Sequence, residues 1–480
     1  MLETFRDLSK ANLIPFLIGI YVSLIISLDP FISNYLPLKY LKSVPYSFTI
    51  TVFILTICLY LIYINSEKIW EKIIPILLVS LIIGDQTKGL TGKGADLADL
   101  VVLSAFIIWL IKNFMNEDSR VKWSKFDLLI LGLILLAFLS ESNTGRISYF
   151  RLAKGLKCFG VAFIVVKLIT TKDDLYFFIK SLIIIISVSA ILGILQELLY
   201  LQTGIIFPPT KEIFLAVNTQ VINGVIMLRI SALAGITQDF ANTLTATLSI
   251  TLFLLLSPII RDRKRYTLLL IAFLLIFTAL YLTFARAAWL AFAVTALIAL
   301  FFRRPSYSIH FIMALLSILL LCYVTGILDI INNFLYEEIS LMGKLGLRNE
   351  MNKLGIEASL ARHPFIGRGI ERSNIYMSNP YRWPPHNTFV QVLAEIGIIG
   401  FSIYLSMLLY LIFRLFMVII TVKGSNEKAI ATSLLMGLFT LTIYSQFDPD
   451  FLRLFPWIYF GLTESAILIL GEERQKTLQS

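Results

Sequence analysis

Charge is scarce in this chain. Only 15% of its 480 residues are Asp, Glu, Lys or Arg, and 58% are hydrophobic, where soluble domains carry about 25% and roughly 45 to 50%. With a mean hydropathy of +0.82, that balance excludes a soluble globular enzyme. Cysteine is nearly absent as well. Cys58, Cys158 and Cys322 all lie inside apolar runs, which makes them small packing residues and argues against a disulfide framework or a thiolate metal cluster. No Walker loop, hydrolase elbow or Cys/His cluster occurs. Basic residues outnumber acidic ones 41 to 31, yet no basic stretch carries the interleaved aromatics of a single-strand binder, so nucleic acid is not an expected partner.

What the chain has in excess is long apolar sequence, recurring from end to end in runs such as Ile183 to Ile186 and Leu268 to Leu275. A spanning helix needs about 20 such residues, and continuous runs without alternation are those of helices, not of membrane β-strands. The expectation is an all-α polytopic membrane protein with about 12 to 14 transmembrane helices. Candidates fall near 11–28, 46–64, 69–84, 97–114, 126–140, 151–169, 175–200, 240–258, 266–284, 286–302, 309–328, 397–420, 429–446 and 453–470. The first run, from Leu13, has no small-residue cleavage site after Leu28, where Asp29-Pro30 follows, and reads as a retained helix.

Loop charge orients these helices. Every second loop is basic: Lys112, Arg120, Lys122 and Lys125; Lys172; Arg261, Arg263, Lys264 and Arg265; Arg303 and Arg304; Lys423 and Lys428. The positive-inside rule places these loops and both termini in the cytoplasm. The chain then divides into N-terminal transmembrane helices (1–200), an outer loop (201–239), helices carrying Arg286 at the outer face (240–328), a large outer loop (329–396) and C-terminal helices (397–480). Long loops with helical patterning of their own are usually functional. In the larger one, Leu347, Met351, Leu354, Ala358 and Ala361 share a helical face, with Arg348, Asn352 and Ser359 on a polar face beside it. Arg362-His363-Pro364 ends that helix. Pro380, Pro384 and Pro385 impose extended chain up to His386, after which Phe389, Val390, Leu393 and Ile396 restart a helical period.

Three histidines are the only side chains that titrate near neutrality without perturbation: His310, His363 and His386. His310, at the cytoplasmic start of a helix, reads as an interface residue, and His363 as a C-terminal cap of the helix before it. His386 follows Trp383-Pro384-Pro385 at the outer mouth of a helix, where a rigid approach would fix an imidazole for proton transfer; spacing alone leaves that role beside the one of an ordinary loop histidine. Arginines break the charge rule on the outer side, at Arg229, Arg286, Arg348, Arg362, Arg368, Arg372 and Arg382. Arg286 interrupts an apolar stretch almost without a loop, so its guanidinium must find an anion or reach the interface. Convergent guanidinium groups would suit a diphosphate. Gly367-Arg368-Gly369 reads as a tight turn. Asp448 and Asp450 read as a solvated turn, with cation binding or orientation of Arg453 as alternatives, and Glu464 as an intramembrane charge either functional or paired with another helix.

The stretch from Arg348 to Gly400, with Pro364-Phe365-Ile366-Gly367-Arg368-Gly369, His386-Asn387 and Ala394-Glu395-Ile396-Gly397-Ile398-Ile399-Gly400, resembles the hallmark region of the O-antigen ligase and polymerase superfamily. Leu282-Thr283-Phe284-Ala285-Arg286-Ala287 is similar to that family's helix start ending in arginine, with Ala285 where a Ser or Thr is usual. Arg229-Ile230-Ser231, followed by Gly235 and Asn242, resembles its preceding segment. The resemblance implies an inverting, metal-independent glycosyltransferase of the GT-C type, without cofactor, in the bacterial inner membrane with its site facing the periplasm. It implies a glycan donor linked to undecaprenyl diphosphate and an acceptor sugar, lipid A core for a ligase or a carrier-linked repeat for an O-antigen or exopolysaccharide polymerase. It assigns His386 to catalysis and Arg286 and Arg348 to the donor diphosphate, with Arg229 and Asn387 as further substrate-binding residues. A lipid-linked glycan transporter without covalent chemistry is the competing class; such proteins carry broken helices around a midplane site.

Overall fold

The computed structural model describes residues 78, 101–107, 109–110, 123–143, 147–204, 219–222, 225–232, 234, 237–257, 262–303, 350–357, 359, 363–372 and 385–479. Helix starts are written locally. Ser124 and Asp127 exchange side-chain and backbone hydrogen bonds in a capping box at the head of α1 (Lys125–Ser142). Thr171 and Asp174 do the same for α3 (Lys172–Thr203), which ends at Gly204 with φ 68°. Between them runs α2 (Tyr149–Leu168). Then follow α4 (Thr237–Leu256), α5 (Arg263–Leu282), α6 (Arg286–Arg303), α7 (Thr388–Thr421), α8 (Ser425–Tyr444) and α9 (Leu454–Gln479).

These helices coincide with the apolar runs expected from 126–140 to 453–470. Five are long and apolar enough to cross a membrane: α3, α4, α5, α7 and the Leu454–Gly471 part of α9. The chain is therefore a multi-pass membrane protein. The runs near 11–28, 46–64 and 309–328 lie outside the described residues, as do all of 69–84 but Leu78 and half of 97–114, so the expected total of 12 to 14 is not counted among them.

One feature departs from an all-α chain. Within the outer loop at 201–239, β1 (Thr219–Ile222) pairs antiparallel with β2 (Val225–Leu228), Thr219 opposite Leu228. The intervening Asn223-Gly224 is a strong hairpin signal in sequence, and segments of four residues are too short for a helical period. The helix expected across Leu347 to Ala361 is present at 350–357, but its buried line is Met351, Gly355 and Ser359. Ser359, expected on the polar face, is buried, and its hydroxyl is satisfied there by bonding back to the Ile356 carbonyl at 2.7 Å.

The helices alternate in direction, so one end of the bundle gathers the C-terminal ends of α1, α3, α5 and α8 with the N-terminal ends of α2, α4, α6, α7 and α9. In the middle lies α4, packed against α3, α5, α6 and α8. Its Thr243, Thr245, Thr247, Ser249 and Thr251 are buried and bond to carbonyls on their own helix. Small hydroxyl residues let helices approach closely and leave no polar atom facing hydrocarbon; Ser249, Thr440 and Thr295 link α4, α8 and α6 in this way. An aromatic knot of Phe159, Tyr404, Phe451 and Trp457 joins α2, α7 and α9, with the Phe159 and Trp457 rings edge to face at 4.7 Å.

The resembling motifs meet at a break in α7. Gly397 has φ 73° and ψ −174°, interrupting the helix. A break in lipid is tolerated only where the freed backbone groups find partners, and here loop 363–372 supplies all four. The N–H groups of Arg368 and Gly369 donate to the Ala394 and Glu395 carbonyls at 3.2 and 3.0 Å, while Ile398 and Ile399 donate to the Pro364 and Phe365 carbonyls at 2.8 and 3.2 Å. A Cβ on Gly397 would collide with the Phe365 carbonyl, and one on Gly367 with that of Glu395. Gly367-Arg368-Gly369 is thus the tight turn expected, and its glycines serve a backbone splice. The loop is tied to α1 and α2 by Arg372 on buried Glu141 at 3.2 Å, by a Lys154–Glu371 ion pair and by Ser140, whose hydroxyl accepts from Gly369 N–H at 2.6 Å.

Candidate functional site

His386 lies immediately before α7, half-buried, with buried Pro385 on one side and its own Nδ1 turned away from solvent. Asn387 is the N-cap. Its Oδ1 accepts from the N–H groups of Phe389 and Val390 at 2.9 and 3.2 Å, and its Nδ2 donates to the Gln446 carbonyl at 3.2 Å. Both ends of the amide, expected to bind substrate, thus also hold the helix start. Thr388 goes further: its N–H donates to Ser445 O at 2.8 Å, its hydroxyl donates to Asp448 O at 2.7 Å and accepts from Asp450 N–H at 2.8 Å.

The α8–α9 connection that receives these bonds is rigid for an electrostatic reason. Asp448 and Asp450 are 5% and 1% exposed, which corrects the solvated turn expected for them. Arg453 bridges Asp448 at 3.1 Å and Asp450 at 3.3 Å and also pairs with Asp239 in the first turn of α4. Orientation of Arg453, one of the alternatives, is therefore their task. Asn242 Nδ2 donates to Asp450 at 2.9 Å, and the Tyr444 hydroxyl donates to Gln238 O at 3.2 Å. Burial, and then the neighbouring Asp448, push the Asp450 carboxyl well above the usual aspartate range.

A second arm carries the arginines. Between α5 and α6 the chain reverses in a few residues: Thr283 bonds back to Leu280 O through its hydroxyl at 2.7 Å, Phe284 adopts φ 50°, and Trp289 Nε1 donates to Leu280 O at 3.0 Å. Arg286 opens α6 and is exposed. Against this turn lies the segment after β2. Ile230 N–H donates to Leu282 O at 3.3 Å and Arg229 Nε to Thr283 O at 3.1 Å, so Arg229 and Arg286 share one turn. The segment is held from α3 by buried Gln196, whose Oε1 accepts from Ser231 and Ala232 N–H at 3.1 Å each.

The two arms are continuous. The Arg229 carbonyl accepts from the Thr237 hydroxyl at 3.1 Å at the head of α4; Asp239 in the same turn pairs with Arg453, and Asp450 beside it bonds Thr388, two residues from His386. Sequence reasoning singled out His386, Asn387, Arg229 and Arg286 but missed Thr388, Gln196 and Asp239, whose partners lie far off in the chain. Arg348, with His310, Arg362 and Arg382, lies outside the described residues. His363 Nδ1 accepts from Asn143 Nδ2 at 2.8 Å, at the end of α1, while the end of the preceding helix that it was expected to cap lies outside the described residues. Glu464 is fully buried and accepts from the Tyr410 hydroxyl of α7 at 3.3 Å, the interhelical pairing weighed for it.

No curated protein matches this chain. Residues 271–405 match the family model described as O-antigen ligase. That stretch contains Arg286, Arg348, His386 and Asn387 together with both halves of the Gly397 splice, so the part of the chain that is similar to O-antigen ligases is the part that carries these residues.

Proposed function

We propose that the protein is a membrane glycosyltransferase that moves a glycan from undecaprenyl diphosphate to an acceptor sugar, with lipid A core as the acceptor. The observation that supports this reading is the continuous hydrogen-bonded path from the Arg229 and Arg286 turn to His386, inside and beside the region similar to O-antigen ligases. In the proposed step the neutral imidazole of His386 takes the proton of an acceptor hydroxyl as its oxygen attacks the donor's anomeric carbon. The bond from that carbon to the diphosphate oxygen breaks on the opposite face, inverting the centre, and the electron pair leaves with the diphosphate. Guanidinium groups of Arg286, of Arg229 and, by resemblance, of Arg348 stabilise the charge that develops there. This chemistry asks nothing of a nucleotide or a metal.

Sidedness is supported by charge. The end of the bundle opposite the site carries Lys125, Lys172, Arg263, Lys264, Arg265, Lys423 and Lys428, which the positive-inside rule assigns to the cytoplasm, leaving the site on the periplasmic face. Impermeant thiol reagents applied from outside are expected to label a cysteine placed at Thr203 and to spare one at Gly424; the reverse pattern overturns this orientation. A transport role is disfavoured by the α7 break, because its freed backbone groups are bonded to loop 363–369 and not turned toward a midplane cavity.

The decisive experiment supplies purified protein with the carrier-linked glycan and either lipid A core or a second carrier-linked repeat. Glycan on lipid A core is the expected product. Extension of the carrier-linked chain instead would make the protein a polymerase, and movement of the donor across vesicles without any new glycosidic bond would make it a transporter.

A further inference from the structure

The head of α7 is bonded more heavily than a helix start requires. Asn387 already satisfies the N–H groups of Phe389 and Val390, so the Thr388 hydroxyl has no capping duty. It is nonetheless fully buried, with its hydrogen spent on the Asp448 carbonyl at 2.7 Å and a lone pair on the Asp450 N–H at 2.8 Å. Both partners are more than fifty positions away and belong to the connection that Arg453 and the aromatic knot immobilise. Trp457 Nε1 donates to the Phe451 carbonyl at 2.7 Å on its far side. The hydroxyl therefore joins the segment carrying His386 to the most constrained loop at this end of the bundle.

We propose that Thr388 is a positioning residue for His386: its hydroxyl sets the height and tilt of the α7 head on the α8–α9 connection, and so the place of the imidazole over the acceptor hydroxyl. This rests on the reading of His386 as the general base. General-base transfer needs heavy atoms within about 2.6 to 3.2 Å, and a displacement of about 1 Å is enough to cost roughly 10²-fold. Valine at 388 would fill the same space but leave the Asp448 carbonyl and the Asp450 N–H only their mutual bond at 3.1 Å, and would remove both side-chain bonds that join the helix head to this connection, so the head is free to shift.

The test measures transfer per folded molecule with carrier-linked glycan as donor. Thr388→Val is expected to lower kcat by about 10- to 100-fold while the donor KM stays within about twofold, and Thr388→Ser, which keeps the hydroxyl, to restore kcat to within about threefold. In the His386→Ala background Thr388→Val should add little further loss, because two residues acting through one step are not additive. Should Thr388→Val not accumulate as folded protein, Thr388→Ala, which also removes the hydroxyl, carries the same comparison. Wild-type kcat in the valine or alanine variant, a loss that falls on donor KM, or full additivity with His386→Ala each overturns the proposal. The underlying reading fails separately: His386→Gln with wild-type turnover removes the base, whereas inactive His386→Gln beside fully active Thr388→Val removes only the positioning role.

Discussion

The two residues expected to do the chemistry are held in opposite ways. His386 is half-buried, and the two residues after it make long-range bonds into a loop welded by three carboxylates and a guanidinium. Arg286 stands exposed at the tip of a short reversal, the first residue of its helix. The difference suits the role proposed for each. A base has to meet one hydroxyl within a few tenths of an ångström, whereas a guanidinium on a long stem reaches for a diphosphate and presents a fork that tolerates some displacement.

The sharpest way to break this contrast is at the histidine. Replacing His386 by Ala is expected to lower transfer by about 10² to 10⁴-fold with expression and donor binding largely intact, read as product formed from the carrier-linked glycan; undiminished turnover would leave the rigid arm without a catalytic purpose. The scaffold of that arm comes next. Gly397→Ala forces a left-handed alanine into the Phe365 carbonyl, and thermal unfolding in detergent should show a loss of about 2 to 4 kcal/mol, combining backbone strain of roughly 1 to 3 kcal/mol with a broken buried hydrogen bond. A stable Gly397→Ala protein would mean the splice is not held as described.

At the flexible arm the expected loss is smaller and graded. One charge-assisted contact is worth roughly 1.5 to 3 kcal/mol, so Arg286→Ala should weaken donor use by about tenfold or more, seen mainly as a raised donor KM, and Arg286→Lys should recover part of it. If lysine fails as completely as alanine, Arg286 is as constrained as His386 and the contrast dissolves. The smallest effect concerns the weld itself. The native state holds a proton on Asp450 at pH values above the ordinary aspartate pKa of 3.8. There it binds more protons than the unfolded chain, and stability falls as pH rises through that window. Asp450→Asn keeps an acceptor for Asn242 while removing the titration, so its unfolding midpoint should decline less from about pH 4 upward than that of the wild type.

How much of this was legible in the sequence depended on whether the signal was local. Among the described residues, apolar runs from Phe126 onward became helices, because hydrophobic length is written in consecutive positions; most ends fall within a few residues of expectation, but α7 begins at Thr388 and not at 397, and α9 runs on to Gln479 and not to 470. His386 and Arg286 stood out because each breaks a local rule, a proline-led approach in one case and an intramembrane charge in the other. Asp448 and Asp450 misled: two aspartates around a proline read as solvent-facing, and nothing nearby announces that Asp239 and Asn242, some two hundred positions earlier, close over them. Of the Gly397 splice only the Gly367-Arg368-Gly369 turn was visible, since its bonds are made by backbone groups, which carry no residue code.

The splice also changes how the membrane can act on the site. An unbroken α7 of 34 residues would be a rod about 50 Å long, and any tilt it adopted to fit a thicker or thinner bilayer would swing His386 through the full lever. Gly397 divides that rod a short way below the site and clamps the division to α1 and α2 through loop 363–372. The lower segment is left to follow the lipid while the upper one stays in the frame of the bundle, so the elbow works as a mechanical insulator between bilayer thickness and the imidazole.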